Sequence, residues 1–446
     1  MIQLFCKTKI DDGYFSKFNY VAKEMTIDSE INDKVNNRLV MMIDTEDEKI
    51  VTGLIINKNS SSEYNIKILS EIEKINSKDW EEIILDLQES DKIIEIKDKS
   101  IKIQTTLWIE TITDYIAICS HLNDKNTLYR GQANEGWKLE PSVFRENVVE
   151  NKESTIYKEI LQWNIDTFTQ DDLLQDVCNM QHYAIPTRLM DWTSNPLHAL
   201  YFAVVDKNQK QENGLVIIVN IDTRRIVEIN SDEYENLQDF LAKRYGLGNY
   251  NEEKNNLYLE NIIDSKEKYI FLKAKYSNDR IKAQQGYFSI YRDITYEEAL
   301  LIKQKRLKKI DENLKMYLKK KYHTERILSL DKRIDLKEEN ENTCIEKLIK
   351  EKFVDRLIVE FRLEEQDKKD LDEYIKESIR KSKITNCISK PNKMSEILEN
   401  ESYIKIMLGH EIKEDLMKNL ELLGVNSKVI YPDIEGFAKY IKEKYN

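Results

Sequence analysis

Glycine and proline are scarce in this chain and unevenly placed, which narrows the folds open to it more than any other feature. Its 446 residues include 11 glycines and 5 prolines, well under the usual ~7% and ~5%. Turns must be built mostly from Asn, Asp and Ser, and long helices are expected. The few that occur crowd together. Gly131, Gly136, Pro141, Pro186 and Pro196 fall in one stretch, and Gly286, Gly424, Pro432 and Gly436 in two others. Those stretches need backbone shapes that only these residues supply.

A chain of this length exceeds what one hydrophobic core serves, so two or three structural units are expected. A hydrophobic fraction of 41% with 24 Tyr and 12 Phe can build cores, while 34% charged residues imply much solvated helix surface. The charge balance, 69 − 81 = −12, disfavours a general nucleic-acid coat, which needs a dense positive field. Apolar runs such as 198–205 and 215–219 fall short of the roughly 20 residues of a membrane span. The N-terminus lacks the basic start and apolar stretch of a signal peptide. A soluble, cytoplasmic protein without a membrane partner is therefore expected. Cys6, Cys119, Cys178, Cys344 and Cys387 lie far apart with no Cys-x-x-Cys or nearby His. They read as reduced thiols, and no metal is expected.

Residues 1–104 carry β-like runs at 39–43 and 50–56, a loop at 59–62 and a helical stretch at 78–88. They are assigned to an N-terminal α+β domain of unknown role. From Trp108 the texture changes. A helix is expected over 109–121, a strand over 127–130, a buried helix from Pro196 to Val205 and a buried strand over 215–221, with Trp137, Trp163 and Trp192 marking a dense core. Further strands are expected at 269–274, 281–291 and 354–361. Between 297 and 322, Leu300, Leu307 and Leu314 recur every seven residues with Ile310 and Tyr317 beside them. The opposite face holds Lys303, Lys305, Arg306, Lys308, Lys309, Lys315 and Lys319 to Lys321. That helix reads as a solvated face or partner seam rather than a nucleic-acid contact.

The chemistry concentrates in two places. In Leu128-Tyr129-Arg130-Gly131-Gln132 an arginine sits just inside a strand edge beside a glycine. It can hold an anion by its planar fork, or be a core-edge arginine paired with Asp191. The run from Met180 to Pro196 packs Gln181, His182, Thr187, Arg188, Asp191, Thr193, Ser194 and Asn195 among apolar neighbours. These groups must satisfy one another or a ligand. His182 reads either as a buried neutral imidazole or as a proton shuttle with Asp191. Arg188 reads either as half of an internal ion pair with Asp191 or as a ligand contact. Trp137 and Trp192 read as core.

These segments resemble a known family. Tyr129-Arg130-Gly131-Gln132, the run from Met180 to Asn195, and Leu200-Tyr201-Phe202-Ala203 closely resemble the FRG domain. Arg280-Ile281-Lys282-Ala283-Gln284-Gln285-Gly286-Tyr287-Phe288 looks like its strand motif. Leu423-Gly424-Val425 and Tyr431-Pro432-Asp433-Ile434-Glu435-Gly436 look like its C-terminal signature. The resemblance runs over 105–446, interrupted by charged helical insertions at about 296–350 and 380–411. The one departure, Met190 where leucine is more usual, roughly keeps volume.

FRG domains are associated with bacterial mobile and defence gene contexts. The order Arg130, then Thr193-Ser194 before Ala199-Leu200-Tyr201-Phe202-Ala203, then Gln284-Gln285 is more distantly similar to ADP-ribosyltransferases. That likeness implies an α+β fold: the N-terminal α+β domain followed by an ADP-ribosyltransferase-like split β-sheet flanked by helices, with a charged helical insertion. It implies NAD as substrate, with Arg130, His182, Asp191 and Gln285 in catalytic positions. Gly131, Gln132, Tyr183, Arg188, Thr193, Ser194 and Phe288 would line the NAD cradle, Tyr183 or Phe288 stacking on nicotinamide. Gln285 stands where a carboxylate is needed, and its neutral amide cannot offset a developing cation, so Asp191 would have to supply that charge. The function implied is an NAD-using toxin in anti-phage defence, with a protein or nucleic-acid acceptor and an antitoxin or regulatory partner. The alternative is a non-catalytic nucleotide- or protein-binding module.

Overall fold

A computed structural model describes residues 4–7, 20–22, 26–27, 38–44, 49–60, 63–70, 73–74, 92–95, 104–122, 125–145, 152–163, 168, 171–265, 269–273, 279–322, 365–382, 403–434, 437–438 and 440–441. The helix expected at 78–88 and the strand expected at 354–361 lie outside the described residues, as do Cys344 and Cys387. The fold is α+β, and the described residues form two eight-stranded sheets.

The first sheet is formed by β1 (Leu4–Lys7), β2 (Tyr20–Ala22), β3 (Thr26–Ile27), β4 (Leu39–Asp44), β5 (Lys49–Ser60), β6 (Glu63–Ile68), β7 (Glu73–Lys74) and β8 (Lys92–Glu95). Its order is β2-β6-β5-β4-β1-β8-β3, with β7 paired to β5. Val40, Met41, Met42 and Ile43 are all buried, as expected of a central strand covered on both faces.

The second sheet runs β13 (Ile226–Val227), β14 (Tyr269–Lys273), β15 (Gly286–Tyr291), β11 (Leu189–Thr193), β10 (Thr127–Gln132), β12 (Gly214–Asn220), β16 (Tyr403–Leu408) and β9 (Gln104–Ile109). Five of its seven pairings are antiparallel and two are parallel, so the sheet is mostly antiparallel. One junction is nearly open. β10 matches β12 over six residues and β11 matches β15 over five, but β10 and β11 touch at a single pair, Tyr129 with Thr193. The sheet is split there.

One face of this sheet is covered by two groups of helices. The first comprises α1 (Ile112–Leu122), α5 (Pro196–Val204) and α11 (Lys413–Leu422). Their buried Tyr115, Ile118, Leu200, Tyr201, Leu416 and Leu420 join Tyr129, Val216, Ile404 and Ile406 of the sheet. The same cluster takes in Leu39, Met41, Ile43 and Leu54 of the first sheet. The second group, α3 (Glu153–Gln162), α4 (Leu173–His182), α6 (Asp232–Arg244) and α7 (Glu252–Ser265), packs on Leu189, Phe288 and Ile290. The opposite face buries Leu128, Met190, Trp192, Ile217 and Phe271 under Leu139 and Phe144, the latter from the single turn α2 (Ser142–Arg145).

Helix α5 shows how sequence sets this packing. Asn195 accepts the Leu197 N–H at 3.0 Å as its N-cap and Pro196 opens the first turn, a pre-organised start. Ala199 and Ala203 let the helix lie flat on the sheet. A Cβ on Gly131 would sit 1.9 Å from the Ala199 carbonyl oxygen. The close approach allowed by Gly131 is therefore helix on strand, and a ligand is not what occupies that space.

Several expected elements differ. The strand expected over 281–291 is a helix, α8 (Asp279–Gln284), followed by β15 from Gly286. Gln285 joins them at φ 49°, a left-handed turn residue rather than a strand position. Residues 403–408 lie within the span assigned to the second charged insertion, yet β16 is an interior strand. Ile404, Ile406 and Leu408 are fully buried from the alternate face to Lys405, and one Lys in so short a run hides the period. Trp163 is 81% and Trp137 45% exposed, and only Trp192 of the three is core.

The helix expected near 297–322 is α9 (Tyr296–Tyr322), and its stripe meets α10 (Glu365–Ser382) of the same chain. Tyr317 and Tyr374 stack at 4.0 Å. Lys303 and Arg306, expected on the solvated face, are buried, Arg306 pairing with Asp264 at 2.9 Å. Helices α7 and α9 sit close enough to need that charge matched. Cys119 and Cys178 are buried and in no disulfide, and burial pushes the Cys119 thiol up to about 12.

Candidate functional site

The split between β10 and β11 opens a cleft of about 300 Å³. Its walls come from both sides of the split: Arg130 and Gly131 from β10, Asp191, Trp192 and Thr193 from β11, Tyr287 and Phe288 from β15. Gln181 and His182 from the end of α4, and Phe202 and Asp206 at the end of α5, complete it, and Trp137 stands at its exposed edge.

Arg130 is the dominant charge. Its Nη1 donates to the Asp191 backbone carbonyl across the split. Its Nε is buried and meets no acceptor, and among the described residues no carboxylate forms an ion pair with it. A guanidinium carries five N–H donors, so most are unspent. Burial lowers Arg130 to about 10; Asp191 opposes that shift and Arg145 adds to it. Arg130 thus remains charged at neutral pH, with its capacity for a bidentate anion contact intact.

Two carboxylates share the cleft with it. Asp191 is exposed, and its Oδ2 accepts from Gln181 Nε2 at 2.8 Å. Asp206 caps the short turn that follows α5 by accepting the Asn208 N–H at 2.9 Å. His182 meets the edge of the Tyr183 ring at 4.8 Å. Thr193 is buried; its Oγ1 donates to the Gln284 carbonyl at 2.7 Å and accepts the Asn195 N–H at 3.0 Å. That holds the start of α5 against the end of α8.

Of the residues singled out in sequence, Arg130, Gly131, His182, Asp191, Thr193 and Phe288 meet at this cleft. Others do not. Arg188 is 1% exposed and forms a bidentate pair with Glu153, a 2.7 Å contact with Asp293 and a hydrogen bond to the Tyr291 carbonyl. Its partners are thus Glu153 and Asp293, not Asp191 and not a ligand, because four of its five N–H donors are taken by protein acceptors and two carboxylates match its charge. Tyr183 is 55% exposed and lies outside the cleft lining. Neither Gln285 nor Ser194 lines the cleft; the Ser194 hydroxyl donates to Gln285 Oε1 at 3.2 Å, so the two satisfy each other. Gln132 is buried with its Oε1 unpartnered and does not line the cleft. Sequence reasoning gave no site role to Trp137, Phe202 and Asp206, and named Gln181 only as one polar group of the run from Met180. An indole beside Gly136 in a turn-rich segment was the available sign of an exposed Trp137.

Residues 125–212 match the FRG domain family. The chain carries an FRG domain. The matched span contains β10, α4, β11 and α5, hence both sides of the split; β15 and the C-terminal helices lie beyond it. The FRG segment therefore supplies Arg130, Gln181, His182, Asp191, Thr193, Phe202 and Asp206. No curated protein and no solved structure matches the chain. Among the described residues, no three His, Cys, Asp or Glu side chains are placed to share a metal ion, and no helix is long and apolar enough to cross a membrane.

Proposed function

We propose that the cleft of this FRG domain binds NAD and breaks its nicotinamide–ribose bond, passing ADP-ribose to an acceptor. One observation carries the reading: an unpaired guanidinium and two carboxylates occupy the same small cleft. A ligand that is anionic at one point and cationic at another answers both, and NAD has this pattern, with its pyrophosphate and its positively charged nicotinamide ring. A volume of about 300 Å³ is at the lower end of ligand cavities, so it suits one half of the dinucleotide, the remainder crossing the rim by Trp137.

In this mechanism Arg130 grips the phosphates. Asp191 faces the ribose carbon as the glycosidic bond breaks, the bond electrons leave with nicotinamide, and positive charge gathers on the sugar. A carboxylate fixed beforehand stabilises that charge without reorganising. The acceptor's nucleophile attacks the same carbon and its proton passes to His182 or Asp191. With Gln285 outside the cleft, Asp191 alone of the residues first considered can supply the negative charge. We further propose that the protein is a cytoplasmic toxic effector in bacterial defence against phage, held in check by an antitoxin or regulatory partner. The family resemblance supports that context.

The test is a thermal-shift titration with NAD and ADP-ribose, alongside chromatographic measurement of nicotinamide release. Stabilisation with release supports the transferase reading. Stabilisation without release leaves the binding-module function, and neither response removes NAD from consideration.

A further inference from the structure

Why Asp191 points where it does is answered by a chain of hydrogen bonds behind it. Gln181 lies in the last turn of α4, and the chain then reverses tightly into β11. The Ile185 N–H reaches the Met180 carbonyl at 2.9 Å and the Ala184 N–H the Gln181 carbonyl at 3.1 Å, with Ala184 at φ 57°. This reversal brings Thr187, six residues on, back beside Gln181. Thr187 is fully buried. Its Oγ1 accepts the Leu189 N–H at 3.1 Å and donates to Gln181 Oε1 at 2.6 Å, while its N–H is received by Ser142 Oγ at 2.9 Å. Gln181 Nε2 then faces Asp191 Oδ2 at 2.8 Å.

The direction of the amide follows from this arrangement. With the hydroxyl proton of Thr187 aimed at Gln181, the amide must present its oxygen to Thr187 and its N–H to Asp191. A flipped amide would set its oxygen against a carboxylate, two acceptors in contact. We propose that Thr187 and Gln181 are positioning residues that hold the Asp191 carboxylate in its working orientation toward the cleft. Thr187 acts only through Gln181. The inference rests on the NAD reading for its catalytic consequence, but the relay itself does not. Other titratable groups lining the cleft around Asp191 are Tyr129, Arg130, His182, Asp206 and Tyr287; the donor to its carboxylate is the Gln181 amide.

The experiment compares Gln181→Met, Thr187→Val and Thr187→Ser in the full chain. Nicotinamide release is expected to fall about tenfold in kcat with KM within twofold for Gln181→Met and Thr187→Val, and to recover in Thr187→Ser, which restores the hydroxyl. An activity-independent readout is the side-chain amide resonance pair of Gln181. Its protons should exchange slowly with solvent in the wild type and Thr187→Ser, and markedly faster in Thr187→Val. Wild-type kcat in Thr187→Val, or loss in Thr187→Ser as large as in Thr187→Val, overturns the proposal. If the unmodified protein releases no nicotinamide, the NAD reading falls, and the relay is decided by solvent exchange of the Gln181 amide protons alone: wild-type slow exchange in Thr187→Val refutes it, faster exchange there with recovery in Thr187→Ser upholds it.

Discussion

Two arginines of the same segment, Arg130 and Arg188, have opposite fates, and the difference lies in what each finds within reach. Arg188 meets Glu153 and Asp293 with four of its five donors bonded, whereas Arg130 spends one bond on a backbone carbonyl and leaves a buried Nε without an acceptor. A charge buried with its partners is structural; a charge buried beside open space waits for a ligand. Arg130→Ala is therefore expected to keep the wild-type melting temperature within a few degrees, because no acid is orphaned by its loss, and to abolish the NAD-induced thermal shift. Trp192, 2% exposed and bonded to Ser289 at 2.9 Å, should behave in the opposite way. Its replacement by Ala should cost ~3–5 kcal/mol. Melting scans of both variants with and without NAD check the pair, and an Arg130→Ala protein that melts as early as Trp192→Ala would make the arginine structural. The sequence could name both arginines as candidates but could not separate them, since Glu153 and Asp293 are 35 and 105 positions from Arg188.

At the scale of elements, what could be read in advance followed local pattern. The runs Pro196 to Val205, Leu215 to Ile221 and Leu39 to Ile43 were clear as apolar stretches and lie on α5, β12 and β4 to within a residue or so at their ends, and the polar run between Met180 and Asn195 pointed to the site. What failed depended on distant chain: β16 is a strand because β12 and β9 flank it, and Gln285 is a turn because α8 ends one residue earlier. The buried ion network is another distant construction, joining α3, the residue before β11, α6 and the start of α9 through Glu153, Arg188, Arg244, Asp293 and Glu298. Burial alone would raise both carboxyls, but Arg188 and Arg244 outweigh it at Asp293, and Arg244 with Lys243 outweighs it at Glu298. Both groups are held down to about 2 from 3.8 and 4.5. Since the folded values are the lower ones, the stability from these groups is fully present above the unfolded values and is lost as pH falls through about 4 toward 2. The melting temperature should drop across that window, and Asp293→Asn should flatten the dependence while lowering stability at neutral pH. An unchanged slope in the variant would show that the acid transition belongs to other groups.

Across the whole molecule, the two sheets share one apolar cluster and a polar seam. Leu39, Met41, Ile43 and Leu54 belong to the same buried cluster as Leu107, Ile109, Tyr115, Tyr129 and Ile406. The Trp108 N–H meets the Leu69 carbonyl at 2.6 Å, and Lys67 bonds Asp114 at 2.9 Å and pairs with Glu110 at 2.8 Å. Through Tyr129 that cluster reaches the strand carrying Arg130, so the split that makes the cleft is held open by packing that extends into the first sheet. Helix α5 cannot slide to close it, because Gly131 and Gly214 leave no slack beneath Ala199 and Ala203. The consequence is thermodynamic coupling: a cavity in the first sheet should destabilise the cleft. Ile43 is fully buried, and Ile43→Ala should cost ~2–5 kcal/mol. The reporter is the Trp192 indole N–H, which lies in the second sheet and is bonded to Ser289. If its hydrogen exchange requires opening of the shared unit, even ~2 kcal/mol accelerates it about 30-fold, at 1.4 kcal/mol per decade. Exchange at the wild-type rate in Ile43→Ala, with the variant's first sheet melting separately, would show that the sheets unfold as independent units and that the shape of the cleft owes nothing to residues 1–104.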